Sequence, residues 1–281
     1  MLISFADALA EAERRGAAVG AFTAYNLETA HAVLSAARER DVPVMLLVSD
    51  QAFRSAYGPP LLRALLAVGE AADARCCVQL DHASDLAVLR AALEAGAGAV
   101  MADGSKLPYD ENTALVRAAN DIARACGASV ESELGRVSGE EDAAVAAERG
   151  ALTDPGQAAD FVARTGAACL AVSIGNIHGR YSRPPQLDWA RLEAVRAAVD
   201  VPLSLHGASG LADADLTRAV SMGIRKVNVN TELRDRWFEV LHARGPELRG
   251  GSNLLALGGA LIEGVREVVG AKLDQLWSAD A

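Results

Sequence analysis

Residues 76–95, CCVQLDHASDLAVLRAALEA, decide the fold: an apolar run over 76–82 ends on an acid and a histidine, and a segment with helical apolar spacing follows over 84–95. A short apolar run bounded by polar residues reads as a strand. Apolar side chains at i, i+3 and i+4, with charges on the opposite face, read as a helix packed against it. The same unit recurs along the chain. Further strands are expected at 17–23 (AAVGAFT), 42–49 (VPVMLLVS), 97–103 (AGAVMAD), 128–134 (ASVESEL), 167–175 (AACLAVSIG), 201–206 (VPLSLH) and 224–230 (IRKVNVN), eight in all. Helical patterns fill the intervals, among them 27–40, 109–126 and 155–165, the last entered through Asp154 as cap and Pro155 in the first turn. A closing amphipathic helix is expected over 253–278, and the acidic stretch 136–150 (RVSGEEDAAVAAERG) reads as a mobile loop.

Strand then helix, eight times over, predicts an α/β chain folded as a single-domain (β/α)8 TIM barrel over 1–281. The competing architecture, a doubly wound open sheet, calls for a glycine-rich phosphate fingerprint directly after an early strand. Here the first strand runs into AYNLET.

Composition narrows the function classes. The chain has 281 residues, 51% hydrophobic and 23% charged, enough apolar material for a sizeable core. A net charge of −10 opposes association with phosphate backbones and anionic membranes, so neither nucleic acid nor membrane is expected as a partner. The N-terminus, MLISFADALAEAERRG, carries charge too early for a secretory segment, and a cytoplasmic protein is expected. Cys76, Cys77, Cys126 and Cys169 lack metal-motif spacing and are expected to be buried free thiols.

Three of the five histidines, His82, His178 and His206, follow apolar runs. In a barrel all strands open onto one face at their C-terminal ends, where active sites of this fold sit. Three imidazoles gathered there suit a zinc ion and leave one coordination position open, which marks a catalytic site. Asp81 precedes His82 directly, and adjacent strand residues point to opposite sides, so a bulged or turning strand end is needed for both to reach one pocket. Placed there, Asp81 is a candidate general acid. Asp103 and Glu133 are candidates either to accept imidazole N–H groups or to ligate the metal themselves. Ser49, Glu131, Asn176 and Asn230 also lie at strand ends. Gly179, Gly207, Ser209, Asn228 and Thr231 suggest a phosphate cradle, since glycines admit close anion approach and the loops after strands 7 and 8 often bind phosphate.

These residues, in this order, resemble the class II, zinc-dependent fructose- and tagatose-bisphosphate aldolases. The resemblance runs from AVGAFTAYNLE through LDHAS, MADGSKLPYDEN, VESELGRVSGEED, LAVSIGNIHGRY and LSLHGASG to KVNVNTELR. It implies a zinc aldolase cleaving a ketose 1,6-bisphosphate to dihydroxyacetone phosphate and glyceraldehyde 3-phosphate. By that resemblance His82, His178 and His206 hold one catalytic zinc, Asp81 protonates the aldehyde oxygen, and Glu133 with Asp103 form an alternative metal position. A second divalent or a monovalent cation stays open. The resemblance makes Glu141 the mobile-loop proton carrier, with Glu140 competing, and gives Arg234 the far phosphate and Ser49, Gly179, Gly207, Ser209, Asn228, Asn230 and Thr231 substrate contacts. A homodimer or homotetramer is expected. Ser182, Asn230, Gln79 and Ser138 depart from common family residues and leave the sugar open; Ser182 stands where many relatives have a phosphate-contacting lysine, a charge that Arg180 and Arg183 could supply instead. Competing readings are an aldolase for another dihydroxyacetone-phosphate-derived ketose, a Schiff-base aldolase using Lys226, and a noncatalytic sugar-phosphate-binding barrel.

Overall fold

The structure is a computed structural model and describes residues 1–139, 150–181 and 185–278. All eight expected strands form: β1 (Val19–Thr23), β2 (Val44–Ser49), β3 (Cys76–Ala83), β4 (Ala99–Ala102), β5 (Ser129–Leu134), β6 (Cys169–Val172), β7 (Leu203–Leu205) and β8 (Ile224–Val229). Most are shorter than the apolar runs that predicted them. A run marks burial, whereas a strand lasts only while its neighbour pairs with it, and β6 meets β7 only at Leu170↔Leu203 and Ala171↔Ser204. Neighbours are parallel and follow chain order, with β8 closing onto β1.

The helices are α1 (Phe5–Arg15), α2 (Leu27–Arg40), α3 (Asp50–Arg54), α4 (Gly58–Ala71), α5 (Leu86–Glu94), α6 (Tyr109–Ala125), α7 (Pro155–Thr165), α8 (Trp189–Ala198), α9 (Asp213–Ser221), α10 (Thr231–Arg249) and α11 (Leu254–Leu276). Asp154 caps α7 as expected, its carboxylate accepting the Gly156 N–H at 2.8 Å with Pro155 in the first turn. Among the described residues no helix is long and apolar enough to cross a membrane.

Parallel strands covered by helices are buried on both faces, which is why their sequences read as continuous apolar runs rather than alternations. Val44, Leu46, Val78, Leu80, Val100 and Leu170 face the helical layer and join the main core. The opposite parity fills the barrel interior. Phe5 and Leu9 of α1 plug its lower end against Met45, Cys77, Ala99 and Cys169, and burying one such phenylalanine contributes about 1.5–3 kcal/mol. Further along the barrel axis β3, β5, β7 and β8 turn the interior polar, with Gln79, Glu131, Ser204 and Lys226 fully buried. Above that layer come Asp81, Glu133, His206 and Asn228. Cys76, Cys77 and Cys169 are buried free thiols as expected, but Cys126 is exposed because it is the C-cap of α6, where the helix ends at the surface.

Candidate metal centre and active site

An undistorted strand would send Asp81 and His82 to opposite faces. The backbone avoids this at His82, whose φ of 54° lies in the left-handed region, while the β3–β4 register slips between Leu80 and Ala83. That is the turning strand end the sequence required. Strain of this kind costs on the order of 1–3 kcal/mol. Asp103, just beyond β4, holds the distorted residue, its Oδ2 accepting from His82 Nδ1 at 2.9 Å.

His206 directly follows β7, and His178 lies in the loop after β6. That loop is tied to its neighbours at several points: Asn176 Nδ2 donates to the His206 carbonyl at 2.9 Å, His178 N–H donates to Ser138 O at 2.7 Å, and the Tyr181 hydroxyl donates to Gly207 O at 2.8 Å. Gly207 has φ 61°, and a Cβ there would sit 2.1 Å from the Ile177 carbonyl oxygen. Only glycine allows the two loops to close this tightly.

The result brings the three predicted histidines together. Ring centroids are 4.8 Å apart for His82–His178, 4.7 Å for His82–His206 and 5.8 Å for His178–His206, and each ring offers a nitrogen within 4.8 Å of the others. His206 Nε2 meets Glu131 Oε1 at 2.9 Å, as His82 Nδ1 meets Asp103. Donating one N–H to a carboxylate leaves the other ring nitrogen as a lone pair, and those two, His82 Nε2 and His206 Nδ1, face each other at 2.8 Å. Two lone pairs cannot face each other at that distance, so a cation has to sit between them, either a proton on His82 or a metal held by both rings. The donor set therefore fits a divalent metal.

The surrounding charge agrees. Burial works against a charged His82, yet Asp81 and the bond to Asp103 outweigh it and raise its pKa well above the usual imidazole value. Burial lowers that of His206 despite Glu131. Burial, reinforced by the charge of Asp103, pushes Glu133 up to about 8. Its Oε1 accepts from Val137 N–H at 2.7 Å, while Oε2 is buried without a hydrogen-bond partner. With His82 and Asp103 it forms a second group of metal-competent donors.

A pocket of about 420 Å³ opens over the centre, lined in part by Ser49, His82, Asp103, Lys106, Gly139 and His178. Ser49 ends β2 level with Asp81 and caps α3, its Oγ accepting from Ala52 N–H at 3.2 Å. Asn228 Nδ2 donates to Asp81 Oδ2 at 3.2 Å. Gly179 has φ 88°, Ser209 Oγ accepts from Asn230 N–H at 3.4 Å, and Thr231 opens α10, so these candidate phosphate contacts cluster where β6, β7 and β8 end.

Other expected residues lie elsewhere. Arg234 sits on α10 in a separate pocket of about 340 Å³ with Tyr25, Asn26, Trp237 and Phe238, where its Nε and Nη2 are buried without hydrogen-bond partners. Asn230 Nδ2 donates to the Tyr25 hydroxyl at 2.9 Å. Arg180 pairs with Asp235. Glu140, Glu141, Ser182 and Arg183 lie outside the described residues. The sequence reading overlooked Tyr25, Tyr181 and Ser204. Ser204 shares strand parity with His206, which was the available signal.

A family model described as fructose-bisphosphate aldolase class-II matches residues 3–281. The chain is 42% identical over 241 residues to the D-tagatose-1,6-bisphosphate aldolase subunit GatY of Klebsiella oxytoca, covering 85% of each. Among solved structures it resembles the YdjI aldolase of Escherichia coli K12, with TM-score 0.87 and 30% identity over 100% of this chain and 99% of that one. It also resembles a putative fructose-1,6-biphosphate aldolase of Coccidioides immitis, with TM-score 0.89 and 30% identity over 98% and 96% of the two chains.

Proposed function

The chain belongs to the class II fructose-bisphosphate aldolase family, and from that premise we propose a zinc-dependent ketose-bisphosphate aldolase that reversibly cleaves fructose or tagatose 1,6-bisphosphate to dihydroxyacetone phosphate and glyceraldehyde 3-phosphate. The observation that carries the reading is the opposed pair of imidazole nitrogens, His82 Nε2 and His206 Nδ1, beside His178.

His82, His178 and His206 would hold the zinc. Bound there, zinc supplies a Lewis acid that polarises the substrate ketone and stabilises negative charge on the dihydroxyacetone phosphate half. Asp81, fully buried and held by Asn228, moves the other proton: it takes it from the C4 hydroxyl during cleavage and returns it to the aldehyde oxygen during condensation. Gly179, Gly207, Ser209, Asn228 and Thr231 bind the dihydroxyacetone phosphate end, and Ser49 and Asn230 contact the remainder. Asp103 orients His82, and Glu133 with Asp103 offers the alternative metal position. Glu141 carries the hydroxymethyl proton. The enzyme acts as a cytoplasmic homodimer or homotetramer.

Lys226, which a Schiff-base mechanism would require, is fully buried, with its ammonium on Glu131 and Asn228. One observation favours a second reading of the substrate. Arg180 is tied to Asp235, which supports a ketose derived from dihydroxyacetone phosphate whose far end is not a phosphate, whereas the buried, unpartnered Arg234 Nε and Nη2 beside Tyr25 support the first reading. A panel of fructose, tagatose and sorbose bisphosphates, with dihydroxyacetone phosphate plus unphosphorylated aldehydes, separates the two. Faster turnover of a bisphosphate supports the first reading, and faster condensation with an unphosphorylated aldehyde supports the second.

A further inference from the structure

The barrel interior beneath the histidines holds a charge pair that no step above uses. Lys226 and Glu131 are fully buried, with Nζ 2.8 Å from Oε2. A buried ion pair is weak evidence for stability, because desolvation of each ion costs several kcal/mol. Its hydrogen bonds point to another role. A carboxylate offers about four acceptor sites, and Glu131 fills them: Oε1 accepts from Ser204 Oγ and His206 Nε2, and Oε2 accepts from Gln79 Nε2 at 2.6 Å and from Lys226. With its acceptor sites full, Glu131 can only receive the His206 Nε2–H, which leaves Nδ1 as the lone pair facing the metal position.

The second bond of Lys226 runs to Asn228 Oδ1 at 2.6 Å. With its oxygen so engaged, Asn228 turns its Nδ2 toward Asp81 Oδ2 at 3.2 Å and His206 Nδ1 at 3.2 Å. One ammonium therefore sets two chains of bonds. One ends on the imidazole assigned to the metal, the other on the carboxyl assigned to proton transfer.

We propose that Lys226 is a positioning residue: through Glu131 it fixes which nitrogen of His206 faces the metal, and through Asn228 it fixes the orientation of the Asp81 carboxyl. The inference rests on the aldolase reading and adds a function to a lysine that reading leaves idle.

Three measurements test it: the His206 tautomer in metal-free wild type by 15N NMR, zinc affinity by competition with a chromophoric chelator, and steady-state cleavage at saturating zinc. The variants are Lys226→Met and the charge-neutral double variant Lys226→Met/Glu131→Gln, which leaves no lone buried charge. The expected results are an Nε2–H tautomer in wild type, a loss of about 10–100-fold in zinc affinity in the variants, and a kcat at least tenfold lower with KM within threefold. A purely structural lysine would lower the melting temperature alone. Zinc affinity and kcat within threefold of wild type, in whichever variant folds, would overturn the proposal. So would an Nδ1–H tautomer in wild type, a measurement that needs no variant to fold. Wild type that takes up no zinc sinks the aldolase reading as well, whereas zinc-loaded wild type with unaffected variants sinks this inference alone.

Discussion

His82 Nε2 and His206 Nδ1 face each other at 2.8 Å, and each ring has its other nitrogen on a carboxylate, Asp103 for His82 and Glu131 for His206. The carboxylates decide which nitrogens are left to face a metal. Everything proposed for the site descends from that arrangement.

His178 completes the group from a loop rather than a strand, so its removal leaves the barrel intact while opening the donor set. His178→Ala is expected to fold and melt cooperatively but to lose zinc affinity by at least about 100-fold, beyond what loss of an outer partner costs, with cleavage falling in parallel. Metal analysis after gel filtration checks this. Full zinc occupancy in the variant would remove His178 from the ligand set.

Asp81 lies close enough to His206 and Glu131 to form another group of metal-competent donors, but its carboxylate is held by Asn228, and the proton-transfer role assigned to it predicts a different outcome. Asp81→Asn should keep zinc within a few-fold of wild type while kcat drops by about 10²–10⁴, the usual contribution of a positioned acid or base. Parallel loss of zinc and turnover would make Asp81 a metal-site residue instead.

Gly207 joins the two histidine-bearing loops at φ 61°, with space for no side chain beside Ile177. Gly207→Ala is expected to cost at least about 2 kcal/mol from the combined strain and clash, lowering the melting temperature by roughly 4–8 °C at about 2–4 °C per kcal/mol for a large domain. Affinity for dihydroxyacetone phosphate should weaken with it. A calorimetric melt unchanged from wild type would contradict the close approach.

The thiols offer an independent check on the core. Burial raises Cys76 to about 11 and Cys77 to about 12, and raises Cys169 as well, whereas Cys126 is exposed. Below these values the thiolate nucleophile is scarce, so native protein at pH 8 should titrate one thiol rapidly with a disulfide reagent, and unfolded protein should titrate all four. Rapid reaction of three or four in the native state would mean an open interior.

The eight strands were legible because burial on both faces writes itself as uninterrupted apolar runs, and the helices because each presents one apolar face. The turn at His82 was legible too, since two adjacent functional residues on one strand leave no alternative. Strand ends were less so, because pairing rather than burial fixes them. The layer of Gln79, Glu131, Ser204 and Lys226 escaped notice since its members come from β3, β5, β7 and β8 and meet only across a closed interior. Lys226 in particular has the same sequence signature as a catalytic amine. Only its contacts distinguish the two. Arg234 was legible only by resemblance, because nothing in its sequence surroundings shows that α10 sets it beside Tyr25 with two buried guanidinium nitrogens unpartnered.

The most direct measurement is cleavage of ketose bisphosphate by protein dialysed exhaustively against a chelator, followed by titration with zinc. The account predicts that cleavage disappears on chelation and returns fully at one zinc per chain. Undiminished cleavage by metal-free protein, with borohydride trapping substrate on Lys226, would contradict it.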